Sequence, residues 1–231
     1  MSADTAGYVP FNPRPHRSHQ KLLRLADGAH RVLDVGCSSG YLAERLQARG
    51  AAVVGLEVDE RAAAEARRFC ESVRVGDVET MDLPFEPASF DVILCGDLIE
   101  HLRDPQAFLE RVRPLLKADG RLVLSTPNVA NWAMRLSLLF GRFRYTDRGL
   151  LDRGHTHLFT RKTLQECLVA AGYRITRLDF TVPVPALATP RVEALAHSIG
   201  RLRPSLFAYQ FVVEAVSASA PVTPLPAGDR R

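Results

Sequence analysis

The sequence predicts an α/β fold in which seven strands, mostly parallel, are doubly wound with helices on both faces. Three observations carry that prediction. Short β-branched or leucine-rich runs alternate with helical patterns along the body of the chain. The first of these runs, "RVLDV", passes directly into a small-residue turn, "GCSSG", that opens a helix. The 231 residues, 46% apolar and 24% charged, suffice to bury the core of one domain of ordinary composition.

Taken in order, residues 1–16 are rich in proline and polar residues and read as a flexible segment, and the domain is expected over 17–216. Strands are expected at 31–35, 52–58, 72–77, 90–96 and 121–127, with helices near 18–27, 40–49, 60–71 and 104–117. The fourth helix has Asp104 as N-cap and Pro105 at its first position, followed by a buried stripe of Phe108, Leu109, Val112, Leu115 and Leu116. Pro114 lies inside that stripe and should kink the last turn. "ADGR" then turns the chain into the fifth strand. After "LSTPN" comes a long excursion over about 129–160, partly helical at 132–140, which reads as a cap inserted after the fifth strand. A helix at 160–173 follows, then strands at 174–182 and 206–216 separated by a helical piece at 192–202. The closing "SASAPVTPLPAGDRR", 217–231, reads as a disordered tail.

Composition excludes several classes. Thirty Lys and Arg against 26 Asp and Glu leave a net charge of +4, too small and scattered to imply a nucleic-acid partner. The four cysteines, Cys37, Cys70, Cys95 and Cys167, are far apart and show no metal-ligand spacing, so they read as reduced thiols. The first 19 residues show no apolar core of a signal peptide, and no run approaches the ~20 apolar residues of a membrane span, so a cytoplasmic protein is expected.

A strand that enters a glycine turn and then a helix places ligand at the carboxyl edge of the sheet, where Gly36 and Gly40 allow close backbone approach. Glu57, at the end of the second strand, stands 21 residues beyond Gly36. That offset matches the ~20 residues at which a carboxylate accepts hydrogen bonds from ribose hydroxyls. A third acidic loop follows at Asp77. A nucleoside ligand is therefore expected. Asp34, just before the turn, disfavours a pyrophosphate at the helix N-terminus. It favours S-adenosylmethionine, which carries an ammonium and a sulfonium.

"VLDVGCSSGYLAERL", "VVGLEVDE", "VGDVETMDLPFEPASFDVILCGDLIEHLRDP" and "LLKADGRLVLSTPN" resemble the successive motifs of class I S-adenosylmethionine-dependent methyltransferases. The likeness is greatest to the small-molecule branch that includes ubiquinone-type O-methyltransferases and enzymes of glycan modification. It covers about residues 20–180 and implies a Rossmann-like sheet. It also implies that Asp34, Gly36, Ser38 and Gly40 line the methionine end, that Glu57 holds the ribose, and that Asp77 with the Val78 backbone holds the adenine. Cys95 and Gly96 would form the strand end beneath the sulfonium. Ser38 departs from the family's glycine at that point, which suggests a slightly wider turn.

Methyl transfer requires an acceptor atom held near the sulfonium methyl and, for a hydroxyl, a base. His101 in "GDLIEHL" is the candidate base, because imidazole titrates near neutral pH and the resembling O-methyltransferases often carry histidine there. Glu100 would orient the acceptor. In "LLDRGHTHLFT", His155 and His157 would share a side if the segment is extended, with Asp152 close to them. The segment resembles a "D..H.RFFT" stretch of glycan-modifying methyltransferases. A structural or acceptor-binding role is assigned to it rather than a metal site, since the ligand set is incomplete. "NWAMRLSLLFGRFRY", with Trp132 and Arg135, Arg142 and Arg144, is an amphipathic basic helix of a kind that lies on membranes or grips lipid-linked acceptors. Here it is read as a cap with its apolar face inward and its arginines free for an anionic acceptor. Tyr8, His16 and His19 could close the cofactor from the other side.

The expected function is methyl transfer to a small-molecule hydroxyl of a sugar, glycan or phenolic compound, a lipid-linked acceptor included. The alternatives are a non-catalytic S-adenosylmethionine-binding subunit resembling MetW and a protein or RNA methyltransferase. The latter is weakened by "CGDL" where an "NPPY"-type motif would stand and by the lack of a basic extension.

Overall fold

A computed structural model describes residues 14, 16–182 and 189–219. Tyr8 and most of the two expected tails lie outside the described residues. Seven strands form one sheet: β1 (Arg31–Val35), β2 (Ala52–Glu57), β3 (Ser72–Val75), β4 (Phe90–Gly96), β5 (Leu116–Pro127), β6 (Tyr173–Thr181) and β7 (Gln210–Ser217). Their order is β3-β2-β1-β4-β5-β7-β6. The first five are parallel, whereas β7 runs antiparallel to both β5 and β6. The chain reverses its direction of travel across the sheet between β1 and β4, which leaves a crevice at their carboxyl ends.

The helices are α1 (Ser18–Leu25), α2 (Tyr41–Gln47), α3 (Glu60–Ala66), α4 (Pro105–Val112), α5 (Trp132–Leu139), α6 (Arg161–Ala170), α7 (Pro190–Leu202) and the short α8 (Pro204–Phe207). Alternation along the strands sorts the core into two layers. Val32, Val53, Val92 and Leu94 pack with α1 and α2. Leu33, Val35, Ile93 and Leu124 pack with Phe108, Leu109 and Val112 of α4 and Leu164 and Leu168 of α6. Each of these fully buried side chains contributes roughly 1.5–3 kcal/mol relative to exposure. Tyr173 Oη donates to the Leu109 carbonyl at 3.1 Å, tying β6 to α4.

Local chemistry sets the helix starts. Asp59 accepts from the Arg61 and Ala62 amides at the head of α3, and Asp104 from Ala107 at the head of α4. Thr160 and Thr163 cap α6 reciprocally. The ends differ from the periodicity. The fourth helix tightens to a 3-10 turn over Arg113–Leu115 instead of running to 117, because Pro114 cannot donate to the α-helical ladder. The third helix ends at Ala66 rather than 71. Strand pairing resumes as early as Leu116, which faces Phe90. Arg121 next faces Val92, so "KADG" bulges out between them. The expected start of the last strand at 206 is instead helix α8, where Pro204 at the first position favours a helical turn. Ser217, assigned to the tail, closes β7, and the Ala218 amide donates to Gly172.

α1 is fixed from below by charge. Lys21, only 3% exposed, donates to Asp179 of β6 at 2.6 Å and lies 3.3 Å from His197 of α7. His16 packs against His197 with the rings tilted and 5.0 Å between centroids, so it serves this junction rather than closing a ligand cleft.

Candidate active site

The turn after β1 is held by β2. Gly36 and Cys37 donate to the Leu56 carbonyl, and the Ser38 amide donates to Glu57 Oε2 at 2.8 Å. Glu57 Oε1 accepts from Val58 and Asp59. The carboxylate at the end of β2 is thus buried and aimed at the turn. Gly36 has φ +72°, and Ser38 has φ +51°, which a glycine would adopt without strain. The Ser38 hydroxyl, also buried, has no hydrogen-bond partner.

A cleft of about 1280 Å³ opens over this edge of the sheet. Gly36, Ser38, Glu57, Asp77, Val78, Gly96, Glu100, His101, Asp152 and His155 all line it. Asp77 also accepts from the Glu79 amide at 2.9 Å and so shapes its own loop. That loop is fastened to α4: Arg111 donates to the Val78, Glu79 and Met81 carbonyls, and Glu79 accepts from the Arg103 and Asp104 amides.

Five expected site residues stand elsewhere. Asp34 is buried beneath the turn with Oδ2 unpartnered. Burial, with the Glu57 charge added, raises its pKa to about 7. Gly40 begins α2 at φ +81°, and a Cβ there would meet Ala66 Cα at 2.9 Å, so its lack of a side chain lets α2 approach α3. Cys95 is fully buried in the core, which pushes its thiol up. His157 stacks on Phe159 and bonds the Leu102 carbonyl through Nδ1. It does not share a face with His155, because the segment makes turns rather than a strand. Trp132 is 46% exposed on α5, together with Leu136, Leu139 and Phe140. The expected inward apolar face is therefore corrected: among the helix residues only Met134 is buried.

The cleft also contains residues the sequence did not single out. Asp97 has φ +50° and accepts from Ser125 and Gln210. Strained backbone of this kind persists only where its surroundings hold it. Tyr209, Gln210, Tyr41 and Arg148 also line the cleft, and His19 of α1 packs against the Tyr41 ring at 4.9 Å. The offset of Asp97, directly after Gly96 at a strand end, is the one local signal that could have marked it.

At the far end, Ile99–His101 form a 3-10 turn. His101 Nδ1 lies 3.0 Å from the Gly154 carbonyl. A carbonyl only accepts, so Nδ1 carries the proton and Nε2 of the neutral ring keeps its lone pair. His155 meets the His101 ring edge-on at 4.8 Å, and burial lowers its pKa. Glu100 is almost fully buried, with neither oxygen hydrogen-bonded; burial, and then the Asp97 charge, hold its pKa well above the carboxylate range. Glu100, His101 and His155 bring one donor atom each within 4.8 Å of one another.

Charge distinguishes the ligands this cleft can hold. Leaving aside the neutral Glu100, the side chains of Glu57, Asp59, Asp77, Glu79, Asp97 and Asp152 give it six carboxylates against three arginines. Such a lining suits a cationic nucleoside and repels a pyrophosphate. An open α/β sheet with an acid-lined crevice at its switch point is the arrangement expected of a class I S-adenosylmethionine-dependent methyltransferase domain.

A family model described as a methyltransferase domain matches residues 12–178, and the chain belongs to that family. It is 42% identical over 105 residues to a ubiquinone biosynthesis O-methyltransferase of Neisseria meningitidis, covering 42% of this chain and 44% of that one. It is 30% identical over 155 residues to a protein of the same name from Paracidovorax citrulli, covering 64% and 63%. The chain thus spans less than two thirds of the length of these relatives. Among solved structures, an S-adenosylmethionine-dependent methyltransferase from Mesorhizobium loti superposes with TM-score 0.60 at 18% identity, over 86% of this chain and 97% of that one. One from Archaeoglobus fulgidus gives 0.58 at 19%, over 85% and 90%. These two share the fold. No helix among the described residues is long and apolar enough to cross a membrane.

The residues present fit the family's cofactor. The buried Glu57 carboxylate borders the cleft at the end of β2, and the other acids that line it suit a ligand carrying positive charge.

Proposed function

We propose that the chain transfers a methyl group from S-adenosylmethionine to a hydroxyl of a small molecule, a phenolic acceptor before a sugar or glycan. The observation that supports this most directly is the continuity of one cleft from the Glu57 carboxylate to the free Nε2 of His101. The relatives named for ubiquinone biosynthesis favour the phenolic acceptor. When bound, S-adenosylmethionine supplies an electrophilic methyl group on a sulfonium and departs as S-adenosylhomocysteine.

The side chains then have separate tasks. Glu57 binds the ribose hydroxyls, and the loop at Asp77 and Val78 borders the adenine. His101 Nε2 takes the acceptor's hydroxyl proton as its oxygen bonds to the methyl carbon, while Gly154 holds the imidazole in the correct tautomer. Glu100, kept toward its neutral form by burial, orients the acceptor indirectly, by fixing the turn that carries His101.

Calorimetry with S-adenosylmethionine, S-adenosylhomocysteine and NAD tests the cofactor, and release of S-adenosylhomocysteine across catechols and sugars tests the acceptor. Binding of NAD alone would overturn the first assignment. Turnover confined to sugars would overturn the second.

A further inference from the structure

A second cavity, of about 600 Å³, lies in the cap beside the cofactor cleft. Its size falls in the ~300–1,000 Å³ range of small-molecule sites. Arg142, Arg144 and Arg148 line it, and no aspartate or glutamate does. Among the described residues none of the three guanidinium groups has a side-chain hydrogen bond or ion pair. The acid nearest in sequence, Asp147, is committed to Arg153 at 3.2 Å. Arg135, by contrast, is engaged with the Ala130 carbonyl at 2.7 Å and does not line the cavity.

Three like charges around one hollow repel one another unless an anion joins them. Guanidinium groups present planar pairs of donors that match carboxylate and phosphate oxygens. The rest of the wall mixes apolar side chains, Met134, Leu150 and Leu151, with the polar Ser137, Thr146 and Tyr209. The cavity therefore suits a molecule with a negative group and a partly apolar body.

Its position gives that preference a use. Arg148, Gly149 and Tyr209 line both this cavity and the cofactor cleft. Gly149 has φ +99°, and a Cβ built on it would lie 3.3 Å from Tyr209 Oη, so glycine keeps the boundary narrow in atoms. A molecule anchored on the arginines can extend past Tyr209 toward His101.

We propose that this cavity is the acceptor subsite and that the methyl acceptor carries an oxyanion, a carboxylate or phosphate, which Arg142, Arg144 and Arg148 hold while its hydroxyl reaches the cofactor cleft. This rests on the methyltransferase reading above and narrows it to anionic acceptors.

The test is calorimetry on the full chain saturated with S-adenosylhomocysteine. The probes are 3,4-dihydroxybenzoate, the neutral 3,4-dihydroxybenzyl alcohol and inorganic phosphate, titrated into wild type and into the double variant Arg142→Gln/Arg144→Gln. Both substituted positions are exposed, so the fold is expected to survive, and neither lines the cofactor cleft. The benzoate should bind at least about 10-fold tighter than the alcohol, equivalent to about 1.4 kcal/mol. In the variant the preference should disappear while affinity for S-adenosylhomocysteine stays within twofold. Equal binding of acid and alcohol, or a preference that survives in the variant, overturns the proposal. So does binding of phosphate without any preference for the benzoate, which would mark a site for free anion only. If S-adenosylhomocysteine itself does not bind, the methyltransferase reading fails, and the same titrations without it still decide whether the arginines select an anion.

Discussion

The cofactor edge of the sheet and the cap after β5 solve opposite electrostatic problems. At the edge, Glu57 is 4% exposed, is held by three backbone amides and sits among other carboxylates. In the cap, the charged side chains around the second cavity, Arg142, Arg144 and Arg148, are exposed, cationic and, among the described residues, without a side-chain partner. The first arrangement is built from strand ends whose register is fixed by the core. The second depends on turns with few backbone pairings, such as the single bridge between Thr146 and Asp152. On the proposed reading, the contrast teaches that the cofactor side can be rigid while the choice of acceptor rests on the part of the fold that varies without loss of the core.

The largest effect expected from separating the two is on turnover. His101→Ala should lower methyl transfer by roughly 10²–10⁴-fold, the usual contribution of a general base. Affinity for S-adenosylhomocysteine, followed by calorimetry, should stay within about threefold, and a parallel loss of affinity would mean that His101 belongs to the cofactor edge.

Next comes the pH dependence of the edge itself. Folding raises the Asp34 pKa from 3.8 to about 7, so the folded chain retains a proton that the unfolded chain releases. This group's support is complete below about pH 4 and is lost as pH climbs to about 7. Asp34→Asn should remove that dependence, stabilising the cofactor-free protein at pH 8 relative to pH 5 by on the order of a few kcal/mol in urea titrations at the two pH values. An unchanged pH profile would show that Asp34 is ionised in the folded state.

Glu57→Ala should weaken S-adenosylhomocysteine binding by roughly 10–100-fold through loss of charge-assisted hydrogen bonds. The benzoate preference of the cap should be unaffected, and a change there would break the independence of the two regions. The smallest effect belongs to Ser38→Gly. It relieves the positive φ and removes an unpaired buried hydroxyl, against the greater freedom glycine gives the unfolded chain. A rise in stability of up to about 1 kcal/mol is expected, measured by thermal unfolding.

The same division governed what could be read before the structure. Strand β1, its turn, Glu57 and the cap at Asp104 were visible because each depends on residues close in sequence, while the Asp59 cap, equally local, was not singled out. Helix ends were less visible: Pro114 announced its own kink, but nothing local stopped α3 at Ala66. The placement of Asp34 and Cys95 required knowing which strand face is covered, since parallel central strands are apolar on both sides and give no alternation to follow. Asp97 owes its conformation to Ser125 and Gln210, 28 and 113 residues away. His155 and His157 parted because the segment turns, and the exposure of the α5 apolar face was not encoded in its periodicity. The arginines were noted as anion binders from composition, but their convergence on one hollow with Arg148 was not legible.

The contact between the Gly154 carbonyl and His101 has a further consequence. The Thr156 and His157 amides also donate to the Glu100 carbonyl, so the turn that carries His101 is laced to the segment whose His155 and Thr156 line the cleft. The His101 ring borrows its aim from its neighbour across the chain. On the proposed roles, a substitution at 154–157 should shift turnover and acceptor preference together, read as correlated changes in kcat and in the benzoate preference.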